Sequence, residues 1–330
     1  VLCYHQKRGI CLIMDKKKII SISIFAVILI AGIVFRLLYL HTDIWYDEAC
    51  SWFTAKQSFP MGIMDNLLHL DLQHTPLYFF LLHFWIKLFG DSEVAMRTLS
   101  LLFGIGTLPL VYVATKKITN NKIALFSLAI SVVSPLLVLF SAEVRMYPMV
   151  VFLVVLSLNF LIDFEQTKST KSLVKLVITN LLIPYTLVGG ILYNVALWGT
   201  YAPYLYSQNK KDFFKYIKGL GAEIVGVIPY FILISYYAKM RSIFVISHEG
   251  ELAFFHIVDV IRNFFGATIV KNIYWPSFDP YQITFLFAML VVVPCVYFVY
   301  GYIQGMKKSD GFLSVLYKLF ILSFCLSIVF

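Results

Sequence analysis

Charge is what this sequence has least of. Only 14% of its 330 residues are Asp, Glu, Lys or Arg, against roughly 25% in a soluble domain whose surface must face water. That deficit excludes a soluble enzyme and a disordered chain. Cysteine is also scarce: five, an odd number with no repeated spacing, exclude a disulfide framework and a zinc site. Cys3 and Cys11 precede the first apolar run, Cys295 and Cys325 lie inside later ones, and only Cys50 has polar neighbours, so none is a nucleophile. No repeated half is visible. What the chain does have is 60% apolar and 17% aromatic residues, the composition of a polytopic, all-α integral membrane protein.

The net charge of +9 does not point to nucleic acid. The basic residues fall in short blocks between apolar runs, as in cytoplasmic loops beside anionic lipid headgroups. Residues 1–18 form a cytoplasmic tail, in which 1–13 read as an over-extended start ahead of Met14. The run 19–40 follows Lys16-Lys17-Lys18, lacks a small-residue cleavage site and is interrupted late by Arg36. It reads as a retained signal-anchor helix, opening a transmembrane domain over 19–330. The last residue, Phe330, stands inside an apolar run without a polar flank, the pattern of a truncated chain.

A helix needs roughly 17–25 apolar residues to cross ~30 Å of hydrocarbon. Runs of that kind lie at 19–40, 97–115, 123–140, 146–163, 173–188, 190–206, 219–237, 283–303 and 313–330, about nine spans. The stretch Pro76–Phe89 is apolar but has only 14 residues, which suits an interfacial or re-entrant helix. Charge tests that choice. If it does not cross, segments 1–18, 116–122, 163–175, 207–218 and 304–312 are cytoplasmic and hold 17 of the 27 Lys and Arg. If it did cross, every later block would lie outside, against the positive-inside bias. The N-terminus is therefore inside, and loops 41–96 and 238–282 and the short turn 141–146 share the outer face.

The polar residues that could do chemistry gather on that face. Asp47-Glu48 follows Trp45-Tyr46 and precedes Trp52-Phe53, aromatic flanks that place the acids at the membrane–water boundary. A surface helix over 48–58 fits, and poor solvation there raises a carboxylate toward the range of a general base. Taken singly, the pair also fits solvated loop acids. His74-Thr75-Pro76 opens the short helix with Pro76 at its first position and Thr75 as cap. His74 there fits an anion or metal contact, or a plain neighbour of the cap. Arg97 and Arg145 suit bidentate phosphate binding at the boundary; equally, Glu143 and Arg145 fit pairing with local partners and Arg97 fits snorkelling to the headgroups. Asp47, Glu48 and His74 offer ligands for a divalent ion, without diagnostic spacing. Together these residues suit a site for a lipid-linked phosphate. Spacing alone leaves catalysis, transport and binding open.

The same residues resemble a known family. Ile44-Trp45-Tyr46-Asp47-Glu48-Ala49-Cys50-Ser51, His74-Thr75-Pro76-Leu77-Tyr78, Leu88-Phe89-Gly90-Asp91-Ser92-Glu93 with Arg97, and Ser141-Ala142-Glu143-Val144-Arg145-Met146-Tyr147 look like the GT-C glycosyltransferases. More narrowly, they are similar to the polyprenyl/dolichyl-phosphate-mannose protein mannosyltransferase and aminoarabinose-transferase group, glycosyltransferase family 39-like. Thr75 stands where many relatives have proline, and the motifs cover roughly residues 20–160. The resemblance implies a GT-C-like bundle with interfacial helices in loop 41–96. It implies a multi-pass enzyme with its active site outside; the Lys/Arg-rich inner loops and high Ile, Lys and Phe usage fit a bacterial plasma membrane. That enzyme would move a sugar from a polyprenyl-phosphate-linked donor to an extracytoplasmic glycan, lipid or protein acceptor. In that reading Asp47 is the base and Glu48 orients Asp47, the acceptor or a metal. Arg97 and Arg145 neutralise the phosphate, Glu143 positions Arg145, and His74 assists at the lipid phosphate. Loop 238–282, with Arg241, His256 and Arg262, shapes acceptor choice. A single base without a covalent step implies inversion at the sugar carbon. Competing classes are a polyprenyl-lipid transporter or flippase and a non-catalytic scaffold. Against the first, charged residues gather at one surface rather than at the bilayer midplane.

The loop charges set a topological expectation. A cysteine introduced at Ser92 should react with an impermeant maleimide from outside intact cells, and one at Lys211 only after permeabilisation. The reverse pattern refutes this orientation.

Overall fold

The structure is a computed structural model that describes residues 16–40, 44–70, 74–241 and 311–329. All secondary structure in the described residues is helical apart from one isolated bridge between His74 and Leu187. In chain order the helices are α1 (Lys16–Leu37), α2 (Tyr46–Lys56), α3 (Met61–Leu70), α4 (Pro76–Phe89), α5 (Glu93–Ile118) and α6 (Asn121–Val133). They continue with α7 (Pro135–Ser141), α8 (Tyr147–Thr167), α9 (Thr170–Thr186), α10 (Ile191–Gln208), α11 (Lys210–Arg241) and α12 (Phe312–Val329).

Four described helices are long and apolar enough to cross a membrane: α1, α5, α8 and α11. A fifth span results if α6 and α7, bent by 58° at Ser134, count as one. The bend has a plain cause, since Pro135 has no N–H to continue the helix of α6. Helices also occupy the expected runs at 173–188, 190–206 and 313–330, as α9, α10 and α12, but these do not bring the described spans to nine. The expected run 283–303 lies outside the described residues. Helix α9 is 17 residues long and contains Pro184, which puts it at the lower limit of a span, about 26 Å at 1.5 Å per residue.

Between α1 and α5 three short helices, α2 to α4, pack on the end of the bundle. The surface helix expected over 48–58 runs instead from Tyr46 to Lys56. Helix α4 begins with Pro76 at its first turn, where a missing N–H costs nothing. It stops at Gly90, whose φ of 84° is a left-handed conformation that residues with a Cβ avoid. Ser92 then caps α5, its hydroxyl accepting from the Ala95 N–H at 3.3 Å. The Trp85 indole N–H bonds the Ala95 carbonyl at 2.8 Å, closing α4 onto α5. His83 Nδ1 lies 2.7 Å from the Ala55 carbonyl, tying α4 to α2. Tyr78, Phe79, Leu82 and Ile86 carry this packing into a core shared with α5, α8, α9, α10 and α12. One expectation fails here: Thr75 stands at the cap position of α4, but its hydroxyl makes no cap bond and is buried without a partner. Pro76 supplies the helix start without it.

The helical bundle continues as α8 on α9, α11 on α9 and α10, and α10 on α12. One polar group within it is well bonded: Glu223 accepts from Asn180 at 3.0 Å and from the Trp198 indole at 2.9 Å, whereas the Tyr216 hydroxyl is buried without a partner. Small residues allow the closest contact. A Cβ on Gly104 of α5 would stand 2.0 Å from the Ser141 hydroxyl and 2.7 Å from its Cβ.

Gly104→Ala must therefore push α7 away from α5. It should lower the thermal stability of the detergent-solubilised protein by about 1–3 kcal/mol, the usual cost of overpacking. Thermal melting followed by tryptophan fluorescence checks this.

Candidate active site at the head of helix α2

Asp47 and Glu48 open α2, and their neighbouring positions put their side chains about 100° apart around the helix. Glu48 turns inward and is fully buried, 0% exposed. Its Oε1 accepts from Arg97 Nε at 2.9 Å, and its Oε2 from Arg97 Nη2 at 2.7 Å, a two-pronged guanidinium–carboxylate pair. The backbone N–H of Val144 donates to Oε1 at 2.8 Å and that of Trp45 to Oε2 at 3.4 Å. Arg97 is 1% exposed and gives Nη1 to the Leu40 carbonyl at 2.9 Å. One ion pair thus joins the chain after α1, the head of α2, the start of α5 and the turn between α7 and α8.

Asp47 faces the other way. Its side chain is 35% exposed and its Oδ2 lies 3.6 Å from Arg145 Nη2. Its backbone carbonyl accepts from the Ser51 hydroxyl at 2.9 Å and from Arg145 Nη1 at 3.3 Å. Arg145 is buried; its Nη2 also reaches His74 Nε2 and the Tyr147 hydroxyl, each at 3.1 Å. The guanidinium lies over the Tyr147 ring, 5.3 Å from the centroid. Its Nε is buried with no hydrogen-bond partner. From behind, Tyr78 shares a 2.8 Å hydrogen bond with the Ser100 hydroxyl, which donates to the Arg145 carbonyl at 3.0 Å.

Glu143 occupies the same turn. Its Oε2 is buried without a hydrogen-bond partner. Burial, then the negative charge of Glu48, pushes its pKa up from 4.5 to about 7 against the opposing pull of Arg145 and Arg97. A carboxyl in this state holds its proton at an acidity where Asp and Glu ordinarily do not.

Residues drawn from stretches up to 98 positions apart therefore meet in one cluster, and the structure divides roles that the sequence left equal. Arg97, expected to face a phosphate, has its guanidinium committed to Glu48 and Leu40, so it holds the frame. Glu48, expected to orient Asp47, the acceptor or a metal, is turned away from solvent for the same reason. Glu143, expected to position Arg145, is not what holds it: Asp47, His74 and Tyr147 do. Asp47, Glu48 and His74 do not converge as metal ligands, because both Glu48 oxygens serve Arg97 and His74 Nε2 faces a guanidinium. Among the described residues no three His, Cys, Asp or Glu side chains form such a group. His256 and Arg262 lie outside the described residues, and of Arg241 only the backbone, the last residue of α11, is described. Sequence reasoning missed Tyr147 as a partner of Arg145, although it ends the motif that carries that arginine. It also missed the Val144 N–H, which no side-chain pattern announces.

Two comparisons bear on this cluster. Residues 73–201 match the family described as dolichyl-phosphate-mannose-protein mannosyltransferase, a stretch that contains His74, Arg97, Glu143 and Arg145 and begins after Asp47 and Glu48. The fold as a whole is similar to the crystal structure of ArnT from Cupriavidus metallidurans in the apo state. The TM-score is 0.53 at 14% sequence identity over 95% of this chain. The chain spans 59% of the length of that protein. No curated protein matches the sequence.

The raised pKa of Glu143 has a consequence for stability. Below about pH 4.5 it is protonated folded or unfolded and contributes nothing; as pH rises toward 7 only the unfolded chain releases the proton, so native stability falls and stays lower above 7. Glu143→Gln should remove that penalty. Its melting temperature is expected to exceed the parent's near pH 8 and to equal it near pH 4; equal values at both contradict the assignment.

Proposed function

We propose that this chain is a membrane glycosyltransferase that transfers a sugar from a polyprenyl-phosphate-linked donor to an extracytoplasmic acceptor, with Asp47 as general base. The observation that carries this reading is the division between the two acids: Glu48 is neutralised by Arg97, whereas Asp47 reaches solvent beside a second, buried arginine. The match of residues 73–201 to the mannosyltransferase family and the ArnT-like fold support the same class.

The chemistry follows from charge. An acceptor hydroxyl oxygen forms a bond to the sugar carbon while the bond from that carbon to the phosphate oxygen breaks. The electron pair leaves with the phosphate, and the acceptor proton passes to the Asp47 carboxylate. The sugar carbon gains positive character as the phosphate gains negative charge. Arg145, whose Nη2 lies at ion-pair distance from the solvent-reaching Asp47 carboxylate, is the cation for that growing charge. Fixed cations in a low-dielectric site are worth more than in water. His74 and Tyr147 hold the guanidinium in place, and Asp47 limits its approach to the side facing solvent. One base and no covalent intermediate give inversion at the sugar carbon. The outer-face location rests on the loop charges, and an N-terminus in the cytoplasm of a bacterial plasma membrane goes with it. Loop 238–282, with Arg241, His256 and Arg262, is assigned to acceptor choice.

Membrane vesicles supplied with a panel of labelled polyprenyl-phosphate sugars test the proposal. Asp47→Asn should lower turnover by roughly 10²–10⁴-fold, the range of a lost general base, while insertion and retention of labelled polyprenyl phosphate persist. Unchanged turnover in this variant, or a product with retained anomeric configuration, overturns the assignment.

A further inference from the structure

Among the described residues, Arg36 is the largest fully buried charged side chain outside the cluster, at 0% exposure near the end of α1. Among the described residues no carboxylate pairs with it. Its hydrogen bonds go to three oxygens: Nη1 to the Gly32 carbonyl at 3.0 Å, Nη2 to the Ser131 carbonyl at 3.3 Å, and Nε to the Ser141 hydroxyl at 3.2 Å. The second of these is the informative one. In an unbroken helix the Ser131 carbonyl would accept from the N–H four residues later, and that residue is Pro135, which has none. Arg36 supplies the missing donor at the 58° break between α6 and α7.

The third bond fixes the far end of the bent piece. Ser141 closes α7, its hydroxyl donating to the Leu137 carbonyl while accepting from Arg36, and Gly104 of α5 lies against it with no room for a Cβ. Immediately beyond Ser141 comes the turn that bears Glu143, Val144 and Arg145. The direction of α7 therefore decides whether the Val144 N–H meets Glu48 and whether Arg145 meets Asp47. The charge itself is accommodated by the Gly32 carbonyl of α1 and by the Ser131 carbonyl in the last turn of α6, where the helix dipole presents partial negative charge. An apolar residue would avoid the desolvation cost of a buried, unpaired cation, yet it could satisfy none of these oxygens.

We propose that Arg36 is a positioning residue: it replaces the hydrogen bond that Pro135 removes, holds the α6–α7 bend, and through Ser141 aims the Glu143–Arg145 turn at the head of α2. It touches no reacting atom. The geometry stands independently of the function proposed above; only the turnover measurement rests on that reading.

The test uses the full chain in lipid nanodiscs, with its five cysteines replaced and spin labels at positions 126 and 139 on α6 and α7. Distances are measured for the parent, Arg36→Met and Arg36→Lys, and melting temperatures for these and for Arg36→Met combined with Pro135→Ala. Thirteen residues of straight helix span about 20 Å, and the bend shortens that. Arg36→Met should lengthen or broaden the distance and lower sugar transfer by roughly 10²-fold, the scale of an ångström-level misplacement. Arg36→Lys, which keeps donors but loses the planar fork, should fall between parent and Met in both readouts. Pro135→Ala returns an N–H to Ser131; added to Arg36→Met it should restore part of the melting temperature that Arg36→Met loses, and no restoration overturns the missing-donor role. If Arg36→Met does not fold, Arg36→Lys decides by the same distance. An unchanged distance in Arg36→Met, or in Arg36→Lys where it decides, overturns the proposal. Shifted distances in a protein whose parent transfers no sugar from any donor refute the proposed function and leave the positioning role intact.

Discussion

The pair between Glu48 and Arg97 is the constraint on which the rest depends. Both groups are removed from water, and the cost of that is recovered only with two short parallel bonds and with the remaining donors and acceptors filled. Here the Val144 and Trp45 N–H groups complete the carboxylate, and the Leu40 carbonyl helps complete the guanidinium. Each of those extra partners belongs to a different stretch of chain. Removing either ion would strand the other, a loss of about 3–5 kcal/mol in comparable buried pairs. An apolar pair of similar volume can match such a pair in stability; what this one adds is hydrogen bonds that join α2 to α5 and to the 142–146 turn.

With Glu48 spent on the frame, the chemistry is left to its neighbour. Asp47 shares the same first turn of helix, yet it keeps a partly exposed carboxylate at ion-pair distance from Arg145. Arg145 in turn is fixed by His74 from the start of α4, by Tyr147 from the start of α8 and by the Asp47 backbone. The result is one held guanidinium, one partly exposed carboxylate and, at Glu143, a carboxyl with one oxygen buried and its pKa raised to about 7. This separation of neighbouring acids by environment is the physical condition for giving them different tasks.

Interruptions of regular helix position these groups. Gly90 ends α4, Ser92 starts α5, and Pro135 breaks the span that leads to the site turn. A straight helix over 121–141 would carry the next residues onward along its axis. The break instead turns them back over α2, at the cost of an unsatisfied carbonyl that Arg36 covers. Kinks next to functional groups are tolerated in membranes only where other side chains satisfy the freed backbone, and that condition is met here by a residue 95 positions away.

By itself the sequence determined that the chain is helical and membrane-embedded. It located the helices between residues 93 and 208 to within a few residues, and it marked Asp47, Glu48, His74, Arg97, Glu143 and Arg145 as the polar residues worth watching. Composition, apolar run length, loop charge and proline or glycine punctuation are local signals, and each maps onto an element directly. Which acid turns inward, which arginine it takes, and why Arg36 lies in an apolar helix were decided only in the tertiary structure. Glu48 and Arg97 are 49 residues apart and Glu48 and Val144 are 96 apart. No periodicity within a single helix encodes a partner at that distance. The choice follows from which backbone donors and guanidinium groups the packed helices bring to a place with no water to serve instead.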